Sequence, residues 1–216
     1  MNQIAALYVE SDGAYFGLEG VDPWDEARDA RKYAGPWPVV AHPPCQRWGR
    51  FWGGNPKQWP RLKLGDDNGC FAAALASVRE FGGVLEHPEA SHAWAAHGLN
   101  RPPKSGGWIQ ADFTGGWTCC VEQGHYGHLS RKATWLYAHS VDLPDLLWGK
   151  ADGCIRVAGA GFHSKAERDA ARESGSHKHQ QLPSKLRNAT PIPFRDLLLS
   201  IARTTSLATF SGAQHG

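Results

Sequence analysis

The chain has 216 residues, with 23 Lys and Arg against 21 Asp and Glu, a formal net charge of +2. That length suits one α/β domain with its own core, and the charge balance excludes a polycationic tail or coat while leaving room for a local basic groove. Ten Trp are more than the packing of so short a chain requires, so some are expected to stack on a flat partner or line a cleft.

Ile4 to Glu10 is short, apolar and β-rich and predicts a buried strand. Ser11-Asp12-Gly13 is a turn signal, and Ala14 to Leu18 is expected to return as the second strand of a hairpin. Asp22-Pro23-Trp24 has the form of a helix start, followed by acids early and bases late in DEARDARKYA. Gly35-Pro36 stops that helix. Pro38 to Ala41 is a second strand, leaving through His42-Pro43-Pro44-Cys45. Residues 46–68 form a loop with three Trp and five Arg or Lys. A helix follows over Gly69 to Phe81, its Ala-rich face suited to close packing and Asp67 or Asn68 at its cap.

Val84-Leu85-Glu86 predicts a third strand that ends in His87-Pro88. Residues 89–118 read as loop, and Cys119 to Gln123 and Ala133 to Ala138 as two more strands. Residues 142–186 are polar and irregular, with a charged helix near Ser164 to Glu173 at most. Pro193 to Arg203 is an amphipathic helix, and 204–216 a frayed tail. Strands alternating with helices predict a single α/β domain over 1–203, a parallel or mixed sheet with helices on its faces. Five Cys argue against a complete disulfide framework. No apolar run reaches the roughly 20 residues of a membrane span, and the N-terminus lacks a leader pattern. The expectation is a reducing, cytoplasmic setting without a membrane partner.

Sites in open α/β sheets gather beyond the carboxyl ends of the strands. Three such ends carry reactive types: Cys45 after the second strand, Glu86 at the end of the third, and His125, Arg131 and Lys132 between the fourth and fifth. A thiolate can attack an electron-poor ring, a carboxyl can protonate a ring nitrogen, and cations can hold a phosphate or polarise a carbonyl. The bland readings stand beside these: Cys45 as a buried inert thiol, Arg131 and Lys132 as a solvated pair, and His42, His87, His125 and His128 as caps or core. Cys119-Cys120 with His125 and His128 lacks the spacing of a structural zinc site, so no metal is expected.

Pro43-Pro44-Cys45-Gln46 after an apolar strand resembles the nucleophile loop of DNA cytosine-5 methyltransferases. Leu85-Glu86-His87-Pro88 is similar to the family's Glu-Asn-Val or Glu-Asn-Pro segment. The run from Val121 through Gln123, Tyr126 and Gly127 to Arg131-Lys132-Ala133-Thr134 is similar to a segment of small phage-type members. Arg187-Asn188-Ala189-Thr190-Pro191 resembles the terminal Gly-Asn-Ala-Val-Pro element. The four occur in family order. The resemblance implies a Rossmann-like sheet in which Cys45 attacks C6 of a flipped cytosine and Glu86 contacts N3. Arg131 and Lys132 would bind the backbone or polarise the ring carbonyl. Pro44, Gln46, Arg47, Trp48, His87, Gln123, Tyr126 and Thr134 would contact the substrate. S-adenosylmethionine would be held by Asp12, Gly13, Gly17, Asp22 and Asn188, and DNA would be the partner, with a protein partner or homodimer supplying what a short chain lacks.

The chain departs from the family in two places. Only 22 residues lie between Asp22 and Cys45, so the cofactor half is expected to be truncated, and 142–186 is small for a recognition domain. Deamination or transfer of a group other than methyl, on DNA or on a nucleotide, and non-catalytic DNA binding therefore stand as alternatives to methyl transfer.

Overall fold

The computed structural model describes residues 3–152 apart from 56 and 58, isolated residues among 166–174, and 182–206. The tail from 207 and nearly all of 153–181 lie outside the described residues, including most of the helix expected near Ser164.

Seven strands form one mixed sheet: β1 (Ile4–Leu7), β2 (Val21–Trp24), β3 (Val39–Ala41), β4 (Gly83–Pro88), β5 (Ile109–Gln110), β6 (Trp117–Glu122) and β7 (Ala133–His139). Their spatial order is β2-β1-β3-β4-β7-β6-β5. The first four are parallel, and the other three alternate antiparallel from β4 outward. The helices are α1 (Cys70–Phe81), α2 (His92–Ala96), α3 (Ser184–Asn188) and α4 (Ile192–Arg203). The α/β expectation holds, as do the strands at 39–41, 83–88, 117–122 and 133–139 and the helices at 70–81 and 192–203.

Period-2 alternation divides the strands between two cores. Ala5, Leu7, Val39, Ala41 and Leu85 face α1 and the aromatic group of Phe71, Trp94 and Trp135. Ile4, Ala6, Val40 and Val84 face α4 through Phe194, Leu198 and Ile201. Gly83 lets β4 close against β3: its φ is +122°, and a Cβ there would lie 1.9 Å from the Val39 carbonyl oxygen. No helix among the described residues is long and apolar enough to cross a membrane.

The N-terminal third corrects the sequence reading. Residues 14–18 form turns rather than a strand, and no helix links β1 to β2. The segment read as a helix start is the edge strand β2, in parallel register with β1. An edge strand tolerates Pro23. Asp22 does not cap a helix, because its carboxylate takes the Trp24 indole N–H and the Arg28 guanidinium. Beyond it, Asp29 sits at φ 54° with its carboxylate on Arg31, leaving one 3-10 turn at Ala30–Lys32. Local side-chain bonds thus displace the helix that composition favoured. The short α2 and β5 lie in the stretch read as loop.

Candidate active site at the carboxyl ends of β3 and β4

Between β1 and β3 the order of chain connection reverses, and in open α/β sheets ligands bind at such a point. Cys45 leaves the end of β3 there, half-buried. Its carbonyl accepts the N–H groups of Trp48 and Gly49, which fixes the turn that follows it. Burial pushes the Cys45 thiol up, the Glu86 charge adds to this, and its own backbone N–H and Lys132 oppose it. The resting group is a thiol beside a carboxylate and an ammonium.

Glu86 lies on the face of β4 opposite His87. It accepts a hydrogen bond from His42 Nδ1 at 3.0 Å, and His42 Nε2 lies 2.8 Å from the Tyr15 hydroxyl. The Glu86 and His42 side chains are 15% and 11% exposed, so the pair is shielded yet open at one edge. Burial resists the charge on Glu86. The His42 hydrogen bond and charge, with Lys132 and His87, outweigh it and hold its carboxyl below the ordinary range. Burial, reinforced by Glu86, keeps the Tyr15 phenol protonated far above its usual range. The result is a Tyr15–His42–Glu86 chain joining the β1–β2 connection, the end of β3, and β4.

Lys132 enters from the start of β7. Its Nζ donates to the carbonyls of Asn188 and Ala189 at 3.2 and 3.0 Å. Burial lowers its pKa, against Glu86 and Cys45, which raise it. Its backbone is left-handed at φ 42°, a conformation that persists only where the surroundings impose it. Gln123 N–H and the Thr134 hydroxyl both bond its carbonyl, and the Gln123 amide donates to Thr134 Oγ1. Gln123 and Thr134, expected to touch substrate, are buried behind Lys132 and position it. Asn188, expected at the cofactor, instead supplies a carbonyl to the same lysine.

Four other expected residues stand elsewhere. His87 is fully enclosed between Phe71 and Trp94, with Nδ1 on the Ser91 hydroxyl and Nε2 facing the Pro44 carbonyl without a well-formed bond. Burial pulls its pKa down to about 4, so it is a neutral core ring under the Cys45 loop and does not touch substrate. Trp48 is buried, with its indole N–H on Asp67. Arg131 points away, donating to the Ala151 carbonyl 3.2 Å away beside Glu122. Tyr126 packs on Phe194 and accepts the Leu147 N–H. Pro44 and Gln46 are exposed beside Cys45, and Arg47 is half-buried with a guanidinium N–H on the Trp52 carbonyl.

Comparison with protein-family models, curated proteins and solved structures returns no match. The site therefore rests on its own geometry.

The residues expected to hold S-adenosylmethionine do not gather. Asp12 is exposed at φ 56°, and Gly17 stands open at φ +72°. Gly13 closes a tight turn onto the Glu10 carbonyl. Asp22 is held by Trp24 and Arg28, and the neighbouring Asp25 by the Ser11 hydroxyl. These side chains do not fit the group as expected, so no step is routed through it.

His125 donates toward the Gly149 carbonyl, and His128 is bound to Ser130 and the Arg187 carbonyl. Cys119 and Cys120 point to opposite faces of β6. The member that sequence reasoning missed is Tyr15, which sits in the stretch read as a strand. His42 was one of four undistinguished histidines. Only the fold, by bringing β1 and β3 side by side, puts these two in contact.

Proposed function

We propose that this protein is a DNA pyrimidine-modifying enzyme of the cytosine-5 methyltransferase type, working through covalent addition of Cys45 to C6 of an extruded cytosine. The observation that carries the reading is the convergence of Cys45, Glu86 and Lys132 at one sheet end, where Glu86 and Lys132 both act on the Cys45 thiol and on each other.

In the reaction the thiol proton passes to the Glu86 carboxylate, with the Lys132 ammonium stabilising the thiolate. The S–C6 bond forms, and the C5=C6 electron pair moves toward N3. N3 takes that proton from Glu86, which His42 holds in place at 3.0 Å. The enamine so formed is nucleophilic at C5 and attacks an electrophile. Loss of the C5 proton to water, expulsion of the thiolate and return of the N3 proton through Glu86 restore the ring. A base in a duplex must first leave the stack, at a cost of a few kcal/mol.

Methyl transfer is the first reading. Transfer of another group or deamination is the second, favoured by the engagement of Asp22 and Asp25 in bonds to other side chains of the protein. Base analysis of cytosine-containing DNA after incubation with and without S-adenosylmethionine separates them. A gained methyl group that requires the cofactor supports the first, and exchange of the amino group for oxygen supports deamination. An oligonucleotide carrying 5-fluorocytosine or pyrimidin-2-one tests the covalent step common to these readings. Tight binding without any adduct would support a non-catalytic DNA binder instead.

A further inference from the structure

Residues 46–65 hold five of the chain's 23 cations and no carboxylate, leaving 18 cations against 21 carboxylates in the rest. The net +2 therefore conceals +5 on one loop and −3 elsewhere. Among the described residues, Arg47, Lys57, Arg61 and Lys63 form no ion pair.

The loop is pinned at both ends. Trp48 and Gly49 bond back to the Cys45 carbonyl, and Gly65 N–H bonds to the Arg47 carbonyl. Trp48 anchors the base of the loop on Asp67, and only a glycine at 65 leaves room for its ring, since a Cβ there would lie 2.7 Å from it. At the rim, Phe51 is 69% and Trp59 85% exposed, and the Arg50 guanidinium lies 5.7 Å over the Phe51 ring. Large aromatic faces held open among cations, on a loop fixed to the nucleophile, match a flat, anionic partner. Aromatic rings with interleaved cations bind unpaired nucleotides by stacking and phosphate contact, whereas a closed duplex hides its base faces.

We propose that loop 46–65 is a stacking platform for the unpaired nucleotides that flank the base entering the Cys45 site, so that the substrate is single-stranded or locally melted DNA and not a free nucleotide. The proposal rests on the reading of Cys45 as the group that engages the base.

The test is fluorescence anisotropy of the full chain with a labelled single strand of about 16 nucleotides, the same sequence as duplex, and competing deoxycytidine monophosphate. The single strand binds at least roughly tenfold more tightly than the duplex. Phe51→Ala and Trp59→Ala each weaken it about tenfold with the melting temperature unchanged, as loss of one stacked base requires. Arg61→Gln with Lys63→Gln reduces the salt slope by about 1.4, at about 0.7 per lost phosphate contact. Duplex binding as tight as single-strand binding, undiminished binding by both aromatic variants, or competition by the mononucleotide at equal concentration overturns the platform. Strand binding without any adduct counts against the covalent chemistry and leaves the platform standing. An adduct formed normally by both aromatic variants, with binding unchanged, removes the platform and leaves the chemistry.

Discussion

Two corners of the same sheet edge differ in how their charges are held. At the ends of β3 and β4, the polar links join residues far apart in sequence: Tyr15 to His42, His42 to Glu86, Lys132 to Asn188 and Ala189. At the ends of β1 and β2 the links are mostly local: Asp22 to Trp24 and Arg28 and Asp29 to Arg31, with the exposed Ser11 to Asp25 bond the longer one. A local, exposed pair forms whenever the chain turns and contributes little, because water screens it and ordering two long side chains costs entropy. A shielded cluster assembled by tertiary contacts pays a desolvation cost that has to be offset by mutual geometry. Carboxylates at both corners have altered proton affinity. At Asp22, Asp25 and Asp29 exposed neighbouring side chains lower it, whereas at the first corner burial and shielded groups from distant parts of the chain shift Cys45, Glu86 and Lys132. Such shielded, coupled groups gather at functional sites.

Glu86→Gln tests the contrast most strongly. Removing the proton path lowers the rate of adduct formation with a pyrimidin-2-one oligonucleotide by roughly 100-fold or more, whereas His42→Gln, which leaves the carboxylate in place, costs about tenfold. Equal rates for wild type and Glu86→Gln would move the chemistry away from this corner. Lys132→Met comes next. It removes the cation that favours the Cys45 thiolate and two hydrogen bonds to the α3 end, each contributing about 1 kcal/mol. Iodoacetamide labelling of Cys45 should then require higher pH than in wild type, and the urea midpoint should fall.

The pH dependence of stability is third. His87 has a folded pKa of about 4, below its unfolded value of about 6.5. The unfolded chain therefore binds a proton first as pH falls. The stability this ring contributes is complete above pH ~6.5 and is lost progressively toward pH ~4. His97 and His128 are shifted in the same direction, by burial first. Glu86, depressed in the folded state, adds a loss at lower pH still. The urea midpoint should fall between pH 7 and pH 5, and His87→Phe should flatten that fall. The smallest effect is expected from Asp22→Asn and Arg28→Ala, each below about 1 kcal/mol by denaturant titration and without change in adduct rate. A collapse of adduct formation in either would make the local corner functional and erase the contrast.

The sequence made the reactive elements legible because they rest on short-range signals. An apolar run before Pro-Pro-Cys marks a strand end at Ala41, and an Ala-rich stretch stopped by Gly82 marks α1. The 22–34 segment misled for the opposite reason. Its acids and bases carry helical capping cues, but Asp22 and Asp29 use their carboxylates locally and β1 takes Val21–Trp24 as an edge partner. The roles of Glu86 and His87 separate only once β4 is a strand, since adjacent residues then face opposite cores. Arg131 and Lys132 diverge similarly, and nothing in their order reveals which of them carries the charge that acts on Cys45.

The central claim is that Cys45 forms a covalent bond with a pyrimidine in DNA. Intact-protein mass spectrometry after incubation with a single-stranded oligonucleotide carrying pyrimidin-2-one, followed by peptide mapping, tests it most directly. The account predicts a one-to-one adduct on the peptide containing Cys45, absent in Cys45→Ser. No adduct in the wild type, or an adduct that survives Cys45→Ser, would contradict it.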